Sequence, residues 1–341
     1  MHSVVFKNDA VGDLVHSVKA INNIAKSSKK TTLFLSKLSE KFSFLISNPE
    51  INIKILNYNL SIIEKIKIFI YLVKNKVDNV YILSPKKYYF ILPLFFRKIK
   101  FYAICVNNIN NYKRPSFFLR KFLHKYEINH RDSIFKREPA RVLQNRLTYN
   151  NIDKSNFKFT HNIQKSDLLN NLLPKKYIYF HFKKKIINEL NWDFKDLKKL
   201  FSEFQKFSSN VVITKDIEFD EYNNIFKDNF NSYDYKTKKH IDKRKKVFFF
   251  DNISGSELFT VLNNSTKIVA FHGMMTNLGF LLGNPVLDLF HCNITSWDEY
   301  RRYRNSFYEF KPKHNNYDFV IPKKDMDKTI KKIYFSLIKC N

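Results

Sequence analysis

Residues 266–291 read TKIVAFHGMMTNLGFLLGNPVLDLFH, and their alternation of apolar runs and breakers decides the fold. The run Ile-Val-Ala-Phe at 268–271 has the length and composition of a buried parallel strand. His272-Gly273 breaks it. Residues 274–282 read as a helix, which Gly283-Asn284-Pro285 stops. Residues 286–290 form a second apolar run of strand length. Strand, glycine turn, helix, turn and strand make a βαβ unit. Such a unit presents a helix N-terminus to the crevice at the carboxyl ends of the strands, where anions bind without a metal. His272, Gly273, Thr276 and Asn277 stand at that mouth. A plain crossover needs no polar groups there, so they form a candidate phosphate and ribose site. A single His beside an apolar strand is also common as a structural residue.

Outward from this unit the same alternation continues. In the first half, strands are expected at 2–6, 31–35, 51–56, 79–83 and 101–106. Helices are expected between them at 14–25, 36–46, 60–74 and 88–97. This is the pattern of a doubly wound parallel sheet. Further helices are expected at 117–126 and 134–148, and periodicity is weak over 150–168. After Pro174 the pattern restarts with a strand at 177–180. A helix at 193–207 follows, with Asp193 as its N-cap, and then a strand at 210–213. Residues 220–246 are polar and expected to be exposed. A strand at 247–250 leads to Ser254-Gly255-Ser256-Glu257, which has capping-box spacing ahead of a helix at 258–263. A polar, Arg-rich connection at 296–305 and an amphipathic helix at 325–338 close the chain. Two α/β domains follow, 1–165 and 166–341, and 341 residues are enough for both.

Two other clusters can carry chemistry. In Asp9-Ala10-Val11-Gly12-Asp13 a strand runs through a glycine turn into a helix, which places Asp13 at the crevice. It can serve there as a general base or as the helix cap. One glycine is too few for a dinucleotide fingerprint. His181 with Lys183, Lys184 and Lys185 follows the first strand of the second domain. These side chains can hold a pyrophosphate or be a solvated lysine run.

The chain carries 60 Lys and Arg against 31 Asp and Glu, a formal charge of +29. Abundant Lys, Asn, Ile, Phe and Tyr with only 5 Gly is also the signature of an AT-rich coding sequence, which accounts for part of that charge. The rest suits anionic phospholipid head groups. No apolar run reaches membrane-span length and none at the start resembles a signal peptide. The three cysteines, Cys105, Cys292 and Cys340, form no metal-type pair. The setting expected is cytoplasmic, with peripheral contact at the inner membrane face. The lysines are spread along the whole chain, with no zinc spacing or RNP pattern, which speaks against nucleic acid.

In order, these pieces resemble glycosyltransferase family 9, the ADP-heptose–lipopolysaccharide heptosyltransferases. The early strand and Gly-Asp turn match at residues 4–14, and the family's proposed base maps onto Asp13. His181 and Trp192 hold the places of the His loop and Trp that open the family's second domain. Gly255 and Leu258 match the Gly and Leu before its last binding loop, and Gly273, Gly283 and Pro285 match that loop itself. Phe271 and His272 stand where the family has Asp and Ser, and Thr276 or Asn277 where it has His. Residues 272–278 also resemble the His-Gly turn of another GT-B group, family 61. The resemblance implies the GT-B architecture, two Rossmann-like doubly wound domains facing across a cleft, with the last helix packing back on the first. It implies an acceptor-binding first domain and a nucleotide-sugar-binding second domain. The reaction implied is inverting and metal-independent transfer to lipopolysaccharide or another cell-surface glycan, with no cofactor. A basic nucleic-acid-binding protein and a catalytically inactive GT-B scaffold are the alternatives.

Overall fold

The computed structural model describes residues 1–46, 48–107, 113–131, 138, 140–148, 171–215, 221–253, 255–291 and 317–339. The chain divides into two units, Met1–Phe157 with Thr295–Phe310 and Lys158–Ile294 with Lys311–Asn341.

Unit 1 holds β1 (His2–Lys7), β2 (Lys30–Ser36), β3 (Ile51–Leu56), β4 (Asn79–Ile82), β5 (Lys100–Asn107), β6 (Lys113–Arg114) and β7 (Lys125–His130). Strands β3-β2-β1-β4-β5-β7 are parallel, and β6 pairs antiparallel with the end of β5. The strand order therefore reverses between β1 and β4. Every residue of β1 is buried, because both faces of a parallel sheet are covered. Val4, Phe6, Phe34, Val80, Ile82 and Phe101 share one core. The helix Val11–Lys26 buries Leu14, Val18 and Ile21.

Unit 2 holds β8 (Ile178–Phe182), β9 (Val211–Lys215), β10 (Asn231–Asp234), β11 (Lys239–Ile241), β12 (Val247–Asp251), β13 (Lys267–Phe271), β14 (Val286–Leu289) and β15 (Tyr317–Val320). Their order is β11-β10-β12-β9-β8-β13-β14-β15, antiparallel only at β10–β11. Here the order reverses between β8 and β13. The organising βαβ unit is β13, the helix Met274–Leu282 and β14. Gly279 lets that helix lie close on the sheet: a Cβ there would come within 2.6 Å of Val286 and 2.9 Å of Ile268. Gly283 ends the helix at φ 76°, a conformation that favours glycine.

Asp193 caps the helix Phe194–Gln205 in a reciprocal capping box with Asp196, worth about 1 kcal/mol. The closing helix Met326–Lys339 packs on the helix Phe194–Gln205 and on β14 and β15. Lys267, buried in β13, donates to the Leu337 carbonyl at 2.8 Å. Among the described residues no helix is long and apolar enough to cross a membrane.

The structure corrects several elements. The expected helix over 36–46 is a 3-10 helix, Lys37–Leu45. The one over 88–97 is two short turns, Lys87–Phe90 and Leu92–Phe95, with Pro93 in the second. The one over 117–126 stops at Arg120, and Tyr126 lies in β7, which pairs with β5. The polar stretch 220–246 was expected to be exposed, yet β10 within it is wholly buried. Its Asn231 side chain donates to the Lys245 carbonyl and accepts from the Lys243 and Lys245 amides. Ser254 and the connection 296–305 lie outside the described residues.

Candidate functional site

In unit 1 the helix begins at Val11, three residues before the expected start. Its N-cap is Ala10, which offers no side-chain hydrogen bond, and Asp13 sits in the first turn. The cap reading of Asp13 is thereby removed. Its carboxylate opens onto a cavity of about 570 Å³. Lys7 and Asp9 line this cavity at the end of β1, Ser84 and Pro85 after β4, and Asn129 and Arg131 at β7. It therefore stands at the strand-order reversal, where doubly wound sheets bind their ligands. Lys7, almost fully buried, pairs with Asp9 at 2.8 Å. No hydrogen bond to the Asp13 carboxylate is present among the described residues. The protein around it withdraws water and pushes its carboxyl above the ordinary value; Asp9 adds to this, and Lys7 and Arg131 oppose it. A carboxylate with a raised pKa and open access is suited to take a proton.

In unit 2 the register pairs Ala270 of β13 with His181 of β8, so the ends of these strands lie side by side. Lys183 follows β8 and His272-Gly273 follows β13. The structure joins them: Lys183 Nζ donates to the His272 carbonyl at 2.9 Å. Gly273 has φ 146°, a conformation L side chains rarely adopt, and a Cβ there would lie 2.8 Å from Lys183 Nζ. His272 Nδ1 lies 2.6 Å from Asp288 Oδ2. Asp288, in β14, is fully buried, and its Oδ2 also accepts from the Tyr317 hydroxyl at 2.9 Å.

The other expected residues behave differently. His181 lies inside β8 and not in a loop. It is buried, with Nδ1 2.9 Å from Thr214 Oγ1 and 3.3 Å from the Tyr179 hydroxyl. Lys183 is the N-cap residue of a helix, Lys184–Leu190, that carries Lys184 and the exposed Lys185 in its first turn. The Thr276 hydroxyl is turned into the helix start, accepting from the Gly273 amide at 3.1 Å and donating to its carbonyl at 2.8 Å. Asn277 is buried, and its Oδ1 has no hydrogen-bond partner among the described residues. Trp192 is buried, and its indole N–H donates to the Lys323 carbonyl at 2.9 Å. No group of three or more His, Cys, Asp or Glu among the described residues is placed to hold a metal.

No family model and no curated protein matches the sequence. Solved structures do. The E. coli heptosyltransferase WaaC with ADP-2-deoxy-2-fluoro heptose is similar over 100% of both chains, at 10% identity and TM-score 0.65. E. coli ADP-heptose lipopolysaccharide heptosyltransferase II is similar over 99% of both, at 12% identity and TM-score 0.63. This chain has their GT-B fold. The UDP-GlcNAc 2-epimerase of Methanocaldococcus jannaschii is similar over 99% of this chain and 93% of its own, at 11% identity and TM-score 0.58. The GT-B fold gives each unit a sheet with a reversal of strand order, and the candidate residues gather at the two reversals.

Asp288 and Tyr317 were not foreseen as site residues. The signal for Asp288 was present: a carboxylate inside the apolar run Val286-Leu287-Asp288-Leu289-Phe290 must find a partner when buried. Tyr317 carried no such signal, being one of 19 tyrosines.

Proposed function

We propose that this protein is a glycosyltransferase that moves a sugar from a nucleotide-activated donor to a saccharide acceptor. The observation that carries the reading is the meeting of Lys183, the Gly273 turn and the His272–Asp288 pair at one reversal of strand order. A helix N-terminus with backbone N–H groups, a lysine and an oriented imidazole suits the diphosphate of a nucleotide sugar. Lys184 and Lys185 add positive charge beside it. Two of the three similar structures carry ADP-heptose names, so an ADP-sugar is the first donor to try and a UDP-sugar the second.

The acceptor would sit in the cavity beside Asp13. Lys65, Lys86, Arg114 and Arg131 line it, which suits a saccharide bearing phosphate or carboxylate, as in lipopolysaccharide or another cell-surface glycan. Asp13 takes the proton of an acceptor hydroxyl as that oxygen bonds to the anomeric carbon. On the opposite face the bond from this carbon to the diphosphate oxygen breaks, and its electron pair leaves with the nucleoside diphosphate. Configuration inverts. The helix N-terminus, Lys183 and His272 stabilise the departing charge, so the step is metal-independent. The protein works in the cytoplasm, in peripheral contact with anionic membrane.

A thermal-shift screen of nucleotides, nucleotide sugars and a short RNA tests the reading, because a ligand of the native state raises the melting temperature. A nucleoside diphosphate or its sugar should shift the transition. A shift with RNA alone would instead favour a nucleic-acid-binding protein. Donor binding without turnover across an acceptor panel would favour an inactive scaffold.

A further inference from the structure

The helix Ile62–Lys74 turns its aliphatic side chains outward. Ile62, Ile63, Ile66, Ile70 and Val73 are between 44% and 73% exposed, while only Ile68 and Leu72 are buried. At helical spacing these five fall in one arc about 100° wide. The exposed lysines Lys67 and Lys74 flank the arc on one side. On the other, Phe69 carries it on to Phe95, its ring edge-on at 5.7 Å and itself 65% exposed. Arg97 and Lys98 follow at once. A surface helix facing water has the reverse pattern, and a continuous exposed aliphatic face calls for a partner.

Charge selects that partner. Residues 51–76 contain five lysines, Lys54, Lys65, Lys67, Lys74 and Lys76, and one carboxylate, Glu64. Glu64 is held in the capping box with Ser61 at the helix start. Two copies meeting through this face would set like charges against each other. Anionic lipid head groups would neutralise them, while the isoleucines enter the acyl boundary.

We infer that the Ile62–Lys74 helix is a monotopic docking surface for an anionic bilayer. The surface adjoins the Asp13 cavity. Leu60 and Lys65 line that cavity, and the Tyr88 hydroxyl donates to the Lys65 carbonyl. Docking through this helix would bring the cavity that Leu60 and Lys65 line close to the bilayer surface, where the saccharide of a lipid-linked acceptor lies. The assignment rests on the proposed acceptor being lipid-linked, but vesicle binding reads it without turnover.

Sedimentation with vesicles of phosphatidylethanolamine and phosphatidylglycerol, compared with phosphatidylcholine alone, is the experiment. The triple variant Ile66→Gln, Ile70→Gln, Val73→Gln keeps the charge, and Gln is a good helix former. The parent should partition onto the anionic vesicles. The triple variant should lose roughly tenfold or more of that partition, with unchanged melting temperature and unchanged transfer to a water-soluble acceptor. The pair Lys67→Glu, Lys74→Glu, on the same exposed flank, should also weaken anionic binding. Equal partition of parent and triple variant would overturn the assignment, since binding would then come from net charge alone. So would a parent that ignores the vesicles, or a parent dimer that the triple variant dissociates. Failure of the transferase reading would show separately, as absent turnover in all the proteins with the partition ratio intact.

Discussion

His272 Nδ1 and Asp288 Oδ2 lie 2.6 Å apart across the ends of β13 and β14, and the Tyr317 hydroxyl of β15 holds the same oxygen at 2.9 Å. The turn after β13 and the strands β14 and β15 thus each supply one member of a chain that fixes an imidazole beside a helix N-terminus. Burial, and then the Asp288 carboxylate, push the Tyr317 phenol far above its ordinary range, so it stays a proton donor. The His ring is thereby orientated through Nδ1 at the mouth of the helix.

Asp288→Asn should cost the site its orientation. A hydrogen bond to a charged group contributes about 1.5–3 kcal/mol, so nucleoside diphosphate affinity should fall about tenfold or more. Tyr317→Phe keeps the carboxylate and should cost less. Calorimetric titration of both variants checks this. A lowered melting temperature with unchanged affinity would mean that the pair is only structural.

Gly273→Ala and Lys183→Met separate backbone from charge. Gly273 at φ 146° is strained for any L residue, by about 1–3 kcal/mol, and its Cβ would displace the Lys183 amine. Both variants should weaken nucleotide binding. Only Gly273→Ala should lower the melting temperature, by about 2–4 °C per kcal/mol in units of this size. Unchanged affinity in Lys183→Met would move the diphosphate elsewhere.

The acid limb of turnover should report Asp13. The protein around this exposed side chain displaces part of its water and raises its carboxyl, so the base is lost at a higher pH than an ordinary carboxylate would allow. Arg131 opposes that rise, and Arg131→Gln should therefore shift the limb further up the pH scale. Stability follows the same sign. The folded chain holds this proton more tightly than the unfolded chain, whose value is about 3.9. The group's contribution to stability therefore falls as pH rises from that value through the folded one, and Asp13→Asn removes the slope. A limb that stays or moves down in Arg131→Gln would contradict the assignment.

Much of this was legible in the sequence. The runs Val4-Val5-Phe6 and Ile268-Val269-Ala270-Phe271 are apolar throughout because parallel strands are covered on both faces. Asp193 and Gly283 announce helix ends through chemistry that is local. What was not legible depends on partners distant in sequence. His181 continues β8 because Thr214 of β9 receives its ring. The polar strand β10 is buried because Asn231 and Asp234 find partners at Lys245 and Asn252. In Ile62–Lys74 the apolar period is plain, yet nothing local says that the richer face is the outer one. Asp13 was open between cap and base until the helix start at Val11 was fixed.

The most direct measurement is turnover of Asp13→Asn beside its donor affinity. Asn cannot accept the proton of an attacking hydroxyl, while the Ala10 cap and the rest of the helix start are untouched. Donor affinity and melting temperature should match the parent, and turnover on the acceptor should fall by about two to four powers of ten. Turnover within a few-fold of the parent, at equal donor affinity, would contradict Asp13 as the base and with it the proposed chemistry of the unit 1 cavity.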